Sequence, residues 1–220
     1  MTTSLVTGAN RGIGLELVKQ LKQRKHKVTA VCRKTSAELD ALGVEVVSGI
    51  DVGKPGAEAQ LGERCGVELL DWVIANAGVL SDESIDQLDF AAVEQQFQVN
   101  ALGVLRTVYA LLPRLHEGSK LALITSRMGS VADNGSGGYY GYRMSKAALN
   151  AAGKSLAIDL KSRGIAVALL HPGFVRTQMT GGQGGVEPQQ AAAQLLERID
   201  QLTLATSGTF WHANGEVLPW

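Results

Sequence analysis

The sequence is poor in cysteine and has no net charge. Two cysteines, Cys32 and Cys65, occur in 220 residues, and neither lies in a spacing typical of a metal site. A chain of this length with two cysteines has no disulfide framework, so we expect a reduced, cytoplasmic setting and no metal. The 21 basic and 21 acidic residues cancel, which argues against a nucleic-acid-binding protein.

Long hydrophobic runs are also missing. No stretch approaches the roughly 18 consecutive apolar residues of a membrane helix, and the first residues lack the basic start and apolar run of a signal peptide. We therefore expect no membrane partner. Since 45% of the residues are hydrophobic, the chain has enough apolar material for one sizeable core.

Short apolar segments alternate with helical patterns along the chain. Near-continuous apolar runs predict strands buried on both faces at residues 4–6, 28–32, 44–50, 70–75, 121–125 and 166–170. Helical spacing predicts helices over residues 13–21, 90–112, 142–161 and 189–201. This alternation is typical of a parallel sheet covered by helices on both faces. We predict a single α/β domain, residues 1–220, with a Rossmann-type doubly wound sheet.

A glycine-rich turn follows the first predicted strand and opens an amphipathic helix. A pyrophosphate needs bare backbone N–H groups at a helix start, and glycine lets the backbone approach it closely. The glycine pattern alone also fits an ordinary strand–helix turn, but its position favours dinucleotide binding. The candidate residues of this turn are Gly8, Asn10, Arg11, Gly12, Ile13 and Gly14.

Charge after the second predicted strand indicates which dinucleotide binds. In NAD-binding proteins, an acid about 20 residues beyond the glycines holds the ribose 2′-hydroxyl. Here Arg33 occupies that position and is followed by Lys34. Because a guanidinium binds phosphate oxygens in a charge-assisted fork, Arg33 and Arg11 favour NADP(H) over NAD(H). The lysines and arginine of residues 19–27 are interpreted as a solvated helix face.

Tyr142 and Lys146 form a candidate acid–base pair. They lie four residues apart near the start of a predicted helix, so their side chains share one face. An ammonium beside a phenol favours the phenolate and lowers the pKa of the phenol toward a value useful in proton transfer. The same spacing also arises by chance, so the pair alone is not diagnostic.

Seven motifs, in order along the chain, resemble those of the short-chain dehydrogenase/reductase family. The resemblance is greatest to the branch of C-factor-like proteins and Sniffer-type carbonyl reductases. Besides the glycine turn, the motifs are Asp51-Val52 after the third predicted strand, Asn76-Ala77-Gly78 after the fourth, Asn100, Ser126, Tyr142 with Lys146, and Pro172-Gly173 with Thr177.

The resemblance implies hydride transfer between NADP(H) and a carbonyl or alcohol substrate. It implies that Tyr142 protonates the carbonyl oxygen, that Ser126 hydrogen-bonds this oxygen, and that Lys146 binds the nicotinamide ribose and tunes Tyr142. Asn100 would hold a water that links Lys146 to solvent. Asp51 would contact adenine in a cofactor groove that also includes Arg33, Val52, Asn76, Ala77, Gly78, Lys146, Pro172, Gly173, Val175 and Thr177.

Some residues have other interpretations. Asn76 and Asn100 also fit turn capping or a helix surface. Ser130 is a rival for the role of Ser126, because the family usually has two consecutive serines where this chain has Thr125-Ser126. His171 is interpreted as a structural residue at a strand end.

Two further expectations concern the lid and the assembly. The stretch Gly181–Gly185 stands where many family members have a bulky substrate lid, so we expect a flexible segment that orders on binding. The apolar helices 90–112 and 142–161 indicate a homodimer or homotetramer. The alternative function is a cofactor-binding signalling or regulatory protein with incidental turnover, which would have no need for a positioned acid.

Overall fold

A computed structural model describes residues 1–66 and 68–220 as one α/β unit built on a parallel sheet. Within these residues the sheet has seven strands in the order β3-β2-β1-β4-β5-β6-β7, and each neighbouring pair is parallel. The strands are β1 (Thr3–Thr7), β2 (Lys27–Val31), β3 (Glu45–Val47), β4 (Leu70–Ala75), β5 (Leu115–Ile124), β6 (Ala166–His171) and β7 (Thr209–His212).

Helices cover both faces of the sheet. They are α1 (Gly12–Gln23), α2 (Ala37–Asp40), α3 (Ala57–Arg64), α4 (Phe90–Phe97), α5 (Gly103–Leu111), α6 (Tyr140–Asp159) and α7 (Pro188–Gln201). Apolar residues of α1 and α7 pack on one face, and those of α5 and α6 pack on the other. The alternating strand residues Val6 and Leu5 belong to these two separate cores, as expected for strands buried on both sides.

The predicted single-domain doubly wound fold is confirmed, although several elements differ from the sequence-based expectation. The predicted helix 90–112 is interrupted by a π-helical turn, Gln98–Leu102, between α4 and α5. The crossover after β3, where no helix is named above, forms the eight-residue helix α3. Strand β7 was not predicted, because it has four residues and of these only Phe210 is fully buried.

The strand order reverses between β1 and β4, the two strands at the centre of the sheet. Each connects outward in the opposite direction, so the loops beyond their carboxyl ends separate and leave a crevice. No helix in the described part of the chain is both long and apolar enough to cross a membrane.

Candidate active site

A cavity of about 610 Å³ opens at the carboxyl end of the sheet, at the crevice between β1 and β4. Most of the residues predicted to bind cofactor or substrate line it, although they come from loops far apart in sequence. These residues are Gly8, Asn10, Arg11, Gly12, Ile13, Gly14, Arg33, Asp51, Val52, Asn76, Ala77, Gly78, Tyr142, Lys146, Pro172 and Thr177.

Four predicted residues lie beside this cavity and do not line it. The Ser126 hydroxyl lies near the phenol of Tyr142 and accepts from the Met128 N–H at 3.2 Å, and Asn100 is fully buried. Val175 is also buried, and its backbone forms a β-bridge with Val186. Gly173 has a φ of 91° and turns the chain over this region. Val175 and Gly173 therefore shape the wall, and their neighbours Pro172 and Thr177 line it.

The glycine turn has the geometry of a phosphate cradle. Gly8 and Gly12 have φ values of 67° and 53°, a region that favours glycine. A Cβ on Gly14 would lie 2.1 Å from the Gly8 carbonyl oxygen, so no larger residue fits there. Helix α1 starts at Gly12 without a side-chain cap. Its first N–H groups and the helix dipole thus fit an anion in the cavity.

Asn76 holds this turn in place from β4. Its Nδ2 donates to the carbonyl oxygens of Thr7 at 3.1 Å and Gly8 at 3.2 Å. In return, the Thr7 hydroxyl accepts from the backbone N–H groups of Asn76 and Ala77 at 3.1 and 3.2 Å. Asn76 therefore both lines the cavity and fixes the loops on either side of it.

The outer end of the cavity is cationic. Arg33 and Lys34 line it and are exposed, and neither forms a salt bridge with any residue in 1–66 or 68–220. The Arg11 guanidinium donates to Gln178 Oε1 at 2.5 Å across the groove. The Asp51 carboxylate is turned inward and accepts from the Gly53 N–H at 3.0 Å. Unpaired cations at this end fit a phosphate group.

Tyr142, Lys146 and Ser126 meet at the inner end. Lys146 is 4% exposed, its Nζ donates to the Ile124 carbonyl oxygen at 2.9 Å, and it lies 5.7 Å from the centre of the Tyr142 ring. Ser126 precedes a short helical turn that packs tightly on α6. A Cβ on Gly129 in that turn would lie 2.7 Å from the Lys146 carbonyl carbon. Close packing thus places the serine beside the phenol.

The pKa values of this pair differ from the sequence-based expectation. Burial raises the pKa of Tyr142 to about 12, although the nearby Ser126 hydroxyl opposes the rise. Burial also lowers the pKa of Lys146 to about 7. We expected the lysine to lower the pKa of the phenol. Removal from water disfavours the charged form of each group. The phenol therefore keeps its proton at neutral pH, whereas the amine loses its proton as the pH rises through about 7.

Asn100 lies in the π-helical turn, and both polar atoms of its side chain bond to protein groups. Its Oδ1 accepts from the Val79 N–H, and its Nδ2 donates to the Val79 carbonyl oxygen, both at 2.8 Å. A further bond of 3.0 Å runs to Ser145 Oγ on α6. The turn, which is not readable from apolar periodicity, points Asn100 inward. Its side chain ties the loop after β4 to α6.

Ser130 and His171, the two residues with alternative interpretations at this end of the site, both have structural contacts. Ser130 is buried, and its Oγ accepts from the Asp133 N–H at 3.1 Å, so it stabilises a turn. His171 packs edge-on against His212, with ring centres 4.9 Å apart. Burial and the neighbouring His212 lower the pKa of His171 to about 3. His171 is therefore neutral near pH 7, in line with a structural position.

The glycine-rich segment after Thr177 is better held than its composition indicates. Thr180 Oγ1 lies within hydrogen-bond distance of the Val175 and Gln183 carbonyl oxygens, at 2.9 and 2.6 Å. The N–H of Gly185 donates to the Phe174 carbonyl oxygen at 3.0 Å. One threonine hydroxyl thus organises a loop that has few side chains of its own.

Sequence reasoning missed several residues that line the cavity. Half of them are the last residue of a strand or directly follow it, and the rule that ligands bind beyond strand carboxyl ends would have found these. The other half, which include Val99 in the π-helical turn, carry no such signal. The missed residues are Thr7, Val31, Cys32, Ile50, Val79, Val99, Ile124, Thr125, Gln178 and Met179. Among the described residues, no cluster of His, Cys, Asp and Glu fits a metal ion.

Comparison with known proteins gives relatives along the full chain. A dehydrogenase of Rhodococcus sp. (strain AD45), named 1-hydroxy-2-glutathionyl-2-methyl-3-butene dehydrogenase, is 43% identical over 227 residues, which cover 100% of both chains. The protein named C-signal of Myxococcus xanthus is 42% identical over 154 residues, which cover 69% of this chain and 93% of the relative.

Solved structures agree with this relationship. The carbonyl reductase Sniffer of D. melanogaster has a TM-score of 0.92 and 28% identity, with both chains covered fully. The NADPH-bound carbonyl reductase from chicken fatty liver has a TM-score of 0.88 and 29% identity, covering 100% of this chain and 99% of its own. The family model for short chain dehydrogenases matches residues 2–185. With that match and a 43% identical relative of equal coverage, this chain belongs to the short-chain dehydrogenase family.

Proposed function

We propose that this protein is an NADP(H)-dependent carbonyl reductase that also oxidises the matching alcohol. Membership of the short-chain dehydrogenase family makes it an oxidoreductase. One observation carries the proposal: a single cavity joins an unpaired cationic end, with Arg33, to an inner end with Tyr142 and Lys146. An anionic cofactor and a proton donor would therefore share one cavity.

The cofactor, when bound, supplies the hydride. In this proposal the glycine turn holds the pyrophosphate, and Arg33 with Arg11 and Lys34 holds the 2′-phosphate. The absence of salt-bridge partners for Arg33 within the described residues supports this assignment. The NADPH bound to the chicken carbonyl reductase supports the same cofactor.

The proton comes from Tyr142. A phenol with a pKa of about 12 keeps its proton at neutral pH, which is the form needed to protonate a carbonyl oxygen. Ser126, whose hydroxyl lies near the phenol, is assigned to donate to the same oxygen. Because the pKa of Lys146 is about 7, part of this amine is protonated near neutrality, and we assign it to bind the nicotinamide ribose and to return a proton to the phenolate. Asn100 is assigned to hold the water that links Lys146 to solvent. These roles favour carbonyl reduction over alcohol oxidation near neutrality.

The assembly is proposed to be a homodimer or homotetramer. Large apolar side chains remain exposed on the helices beside the cavity, including Phe90 at 71%, Tyr109 at 70% and Ile158 at 65%. Contact between copies would cover them. A cytoplasmic location is also proposed, since Cys32 and Cys65 are both buried free thiols.

The alternative is a cofactor-binding regulatory protein, which the similarity to C-signal of Myxococcus xanthus favours. A screen of NADPH oxidation with aldehydes, ketones and quinones separates the two. The glutathionyl alcohol in the name of the Rhodococcus relative, tested with NADP⁺, extends the screen to oxidation. Turnover that depends on Tyr142 supports the enzyme. Tight NADPH binding without any turnover supports the regulatory protein.

A further inference from the structure

A buried carboxyl group lies at the start of the helix that carries Tyr142, and the proposed chemistry makes no use of it. Glu83, in the loop between β4 and α4, is 2% exposed. Within residues 1–66 and 68–220 it forms no salt bridge. Burying a carboxylate without a cation costs free energy unless hydrogen bonds and dipoles stabilise it. The hydrogen-bond partners of Glu83 therefore indicate its role.

Both carboxyl oxygens of Glu83 accept hydrogen bonds from N–H groups. Gln96 is 1% exposed, and its Nε2 donates to Glu83 Oε1. The Gly141 N–H, in the first turn of α6, donates to Oε2 at 3.3 Å. The backbone carbonyl oxygen of Glu83 also accepts from the Tyr139 N–H at 2.8 Å. Glu83 thus holds two N–H donors at the helix start, those of Tyr139 and Gly141, where an anion also complements the helix dipole.

The helix start is constrained on its other side too. A Cβ on Gly141 would lie 2.9 Å from Val93 Cα and 2.5 Å from Gln96 Nε2, so α6 touches α4 with no space between them. Tyr139 has a φ of 52°, which is rare for an aromatic residue. Such a backbone persists only where its surroundings enforce it. The bond from its N–H to Glu83 is one such restraint.

We propose that Glu83 and Gln96 are positioning residues for Tyr142. Tyr142 directly follows Gly141, so any shift of the Gly141 backbone moves the phenol relative to Ser126 and the substrate carbonyl. Gln96 itself is fixed, because its Oε1 accepts from the Ser81 N–H at 3.0 Å. The pair links the loop after β4, helix α4 and the start of α6 into one support. The inference rests on the proposed proton donation by Tyr142.

The test is Glu83→Gln, which changes one oxygen for an NH₂ group of the same size. That NH₂ must face either Gln96 Nε2 or the Gly141 N–H, and a donor facing a donor pushes α6 away. Because small misplacements of reacting groups reduce rates strongly, kcat for carbonyl reduction should fall about tenfold or more. The Kd of NADPH should stay within about twofold, since Glu83 does not line the cavity. Glu94→Gln, an exposed acid on the same helix as Gln96, is the matched control.

The double exchange Glu83→Gln with Gln96→Glu separates positioning from general destabilisation. The amide at position 83 then donates to the carboxylate at 96 and accepts from the Gly141 N–H, while that carboxylate accepts from the Ser81 N–H. One weak bond, from Gln96 Nε2 to the Ala92 carbonyl oxygen at 3.3 Å, is lost. The double exchange should therefore recover most of the lost kcat.

Two results would overturn the inference: parental kcat in Glu83→Gln, or a double exchange that folds but stays as slow as the single variant. If Glu83→Gln does not fold, the kcat of the double exchange decides alone. Amide hydrogen exchange of residues 139–146 is measured alongside, because it needs no substrate. Faster exchange in Glu83→Gln, restored by the double exchange, supports the positioning pair even if the parent reduces no carbonyl, which is the separate failure of the proposed function.

Discussion

The buried amine of Lys146 predicts a specific pH dependence of stability. Burial lowers its pKa to about 7 in the folded protein, against an ordinary value of 10.5. Between these values the unfolded chain binds the proton more strongly than the folded one. Stability therefore rises with pH across this window and is lost as the pH falls toward 7. Replacing the amine by an apolar side chain of similar length, Lys146→Met, removes this dependence.

The expected magnitude follows from the two pKa values. Each pH unit inside the window is worth about 1.4 kcal/mol, so between pH 7.5 and 9.5 the parent should gain about 2.5 kcal/mol relative to Lys146→Met. The variant also leaves the Ile124 carbonyl oxygen without its 2.9 Å donor. That loss costs about 1–3 kcal/mol, but it is the same at both pH values and drops out of the comparison.

The measurement is urea unfolding of cofactor-free protein at both pH values, for the parent and the variant. Only the difference between the two proteins is interpreted, since all other titrating groups are common to both. Lys154→Met is the control, because Lys154 is an exposed lysine two turns further along α6. If parent and Lys146→Met show the same change between pH 7.5 and 9.5, the amine is not held neutral by burial and the reasoning fails.

Three other outcomes are expected. The parent should bind NADPH at least tenfold tighter than NADH, a difference of about 1.4 kcal/mol, and Arg33→Asp should remove or invert it; calorimetric titration that finds equal affinities in the parent refutes the phosphate site. Tyr142→Phe should lower kcat about 10²-fold with little change in NADPH affinity, and unchanged turnover would mean that another group donates the proton. Light scattering at micromolar concentration should give a mass above that of one 23.3 kDa chain, and a stable monomer would contradict the proposed assembly.

The sequence predicts the sheet well because its strands are buried on both faces. Val167 to Leu170 in β6, for example, are apolar without interruption and fully buried, so no other interpretation competed. Strand β7 failed this criterion because only part of it is covered. The π-helical turn at Gln98–Leu102 was invisible for a different reason, since an extra residue in a helical turn changes hydrogen bonding but not composition.

The phosphate cradle was also predictable, because its geometry imposes demands on single residues. Gly12 has a φ of 53°, and a Cβ on Gly14 would lie 2.1 Å from the Gly8 carbonyl oxygen, so both positions favour glycine. The two glycines therefore indicate the turn in the sequence. Arg33 was predictable for a similar reason: a cation at the position where NAD-binding proteins have an acid indicates a site for an anion. A backbone conformation or a charge that one position requires can be recognised from the residue type at that position.

The inner end of the site depends on contacts between segments that are distant in sequence. The pKa values and the positions of its side chains therefore could not be predicted from the sequence. Spacing placed Tyr142 beside Lys146, but the direction of the tyrosine pKa shift was predicted wrongly, because burial by the rest of the fold is the largest effect on it. Glu83 carried no signal at all: it contacts the start of α6 across 58 residues of sequence. Because remote packing sets both the position and the pKa of this proton donor, changes at Glu83 or Gln96 should affect it although neither residue lines the cavity.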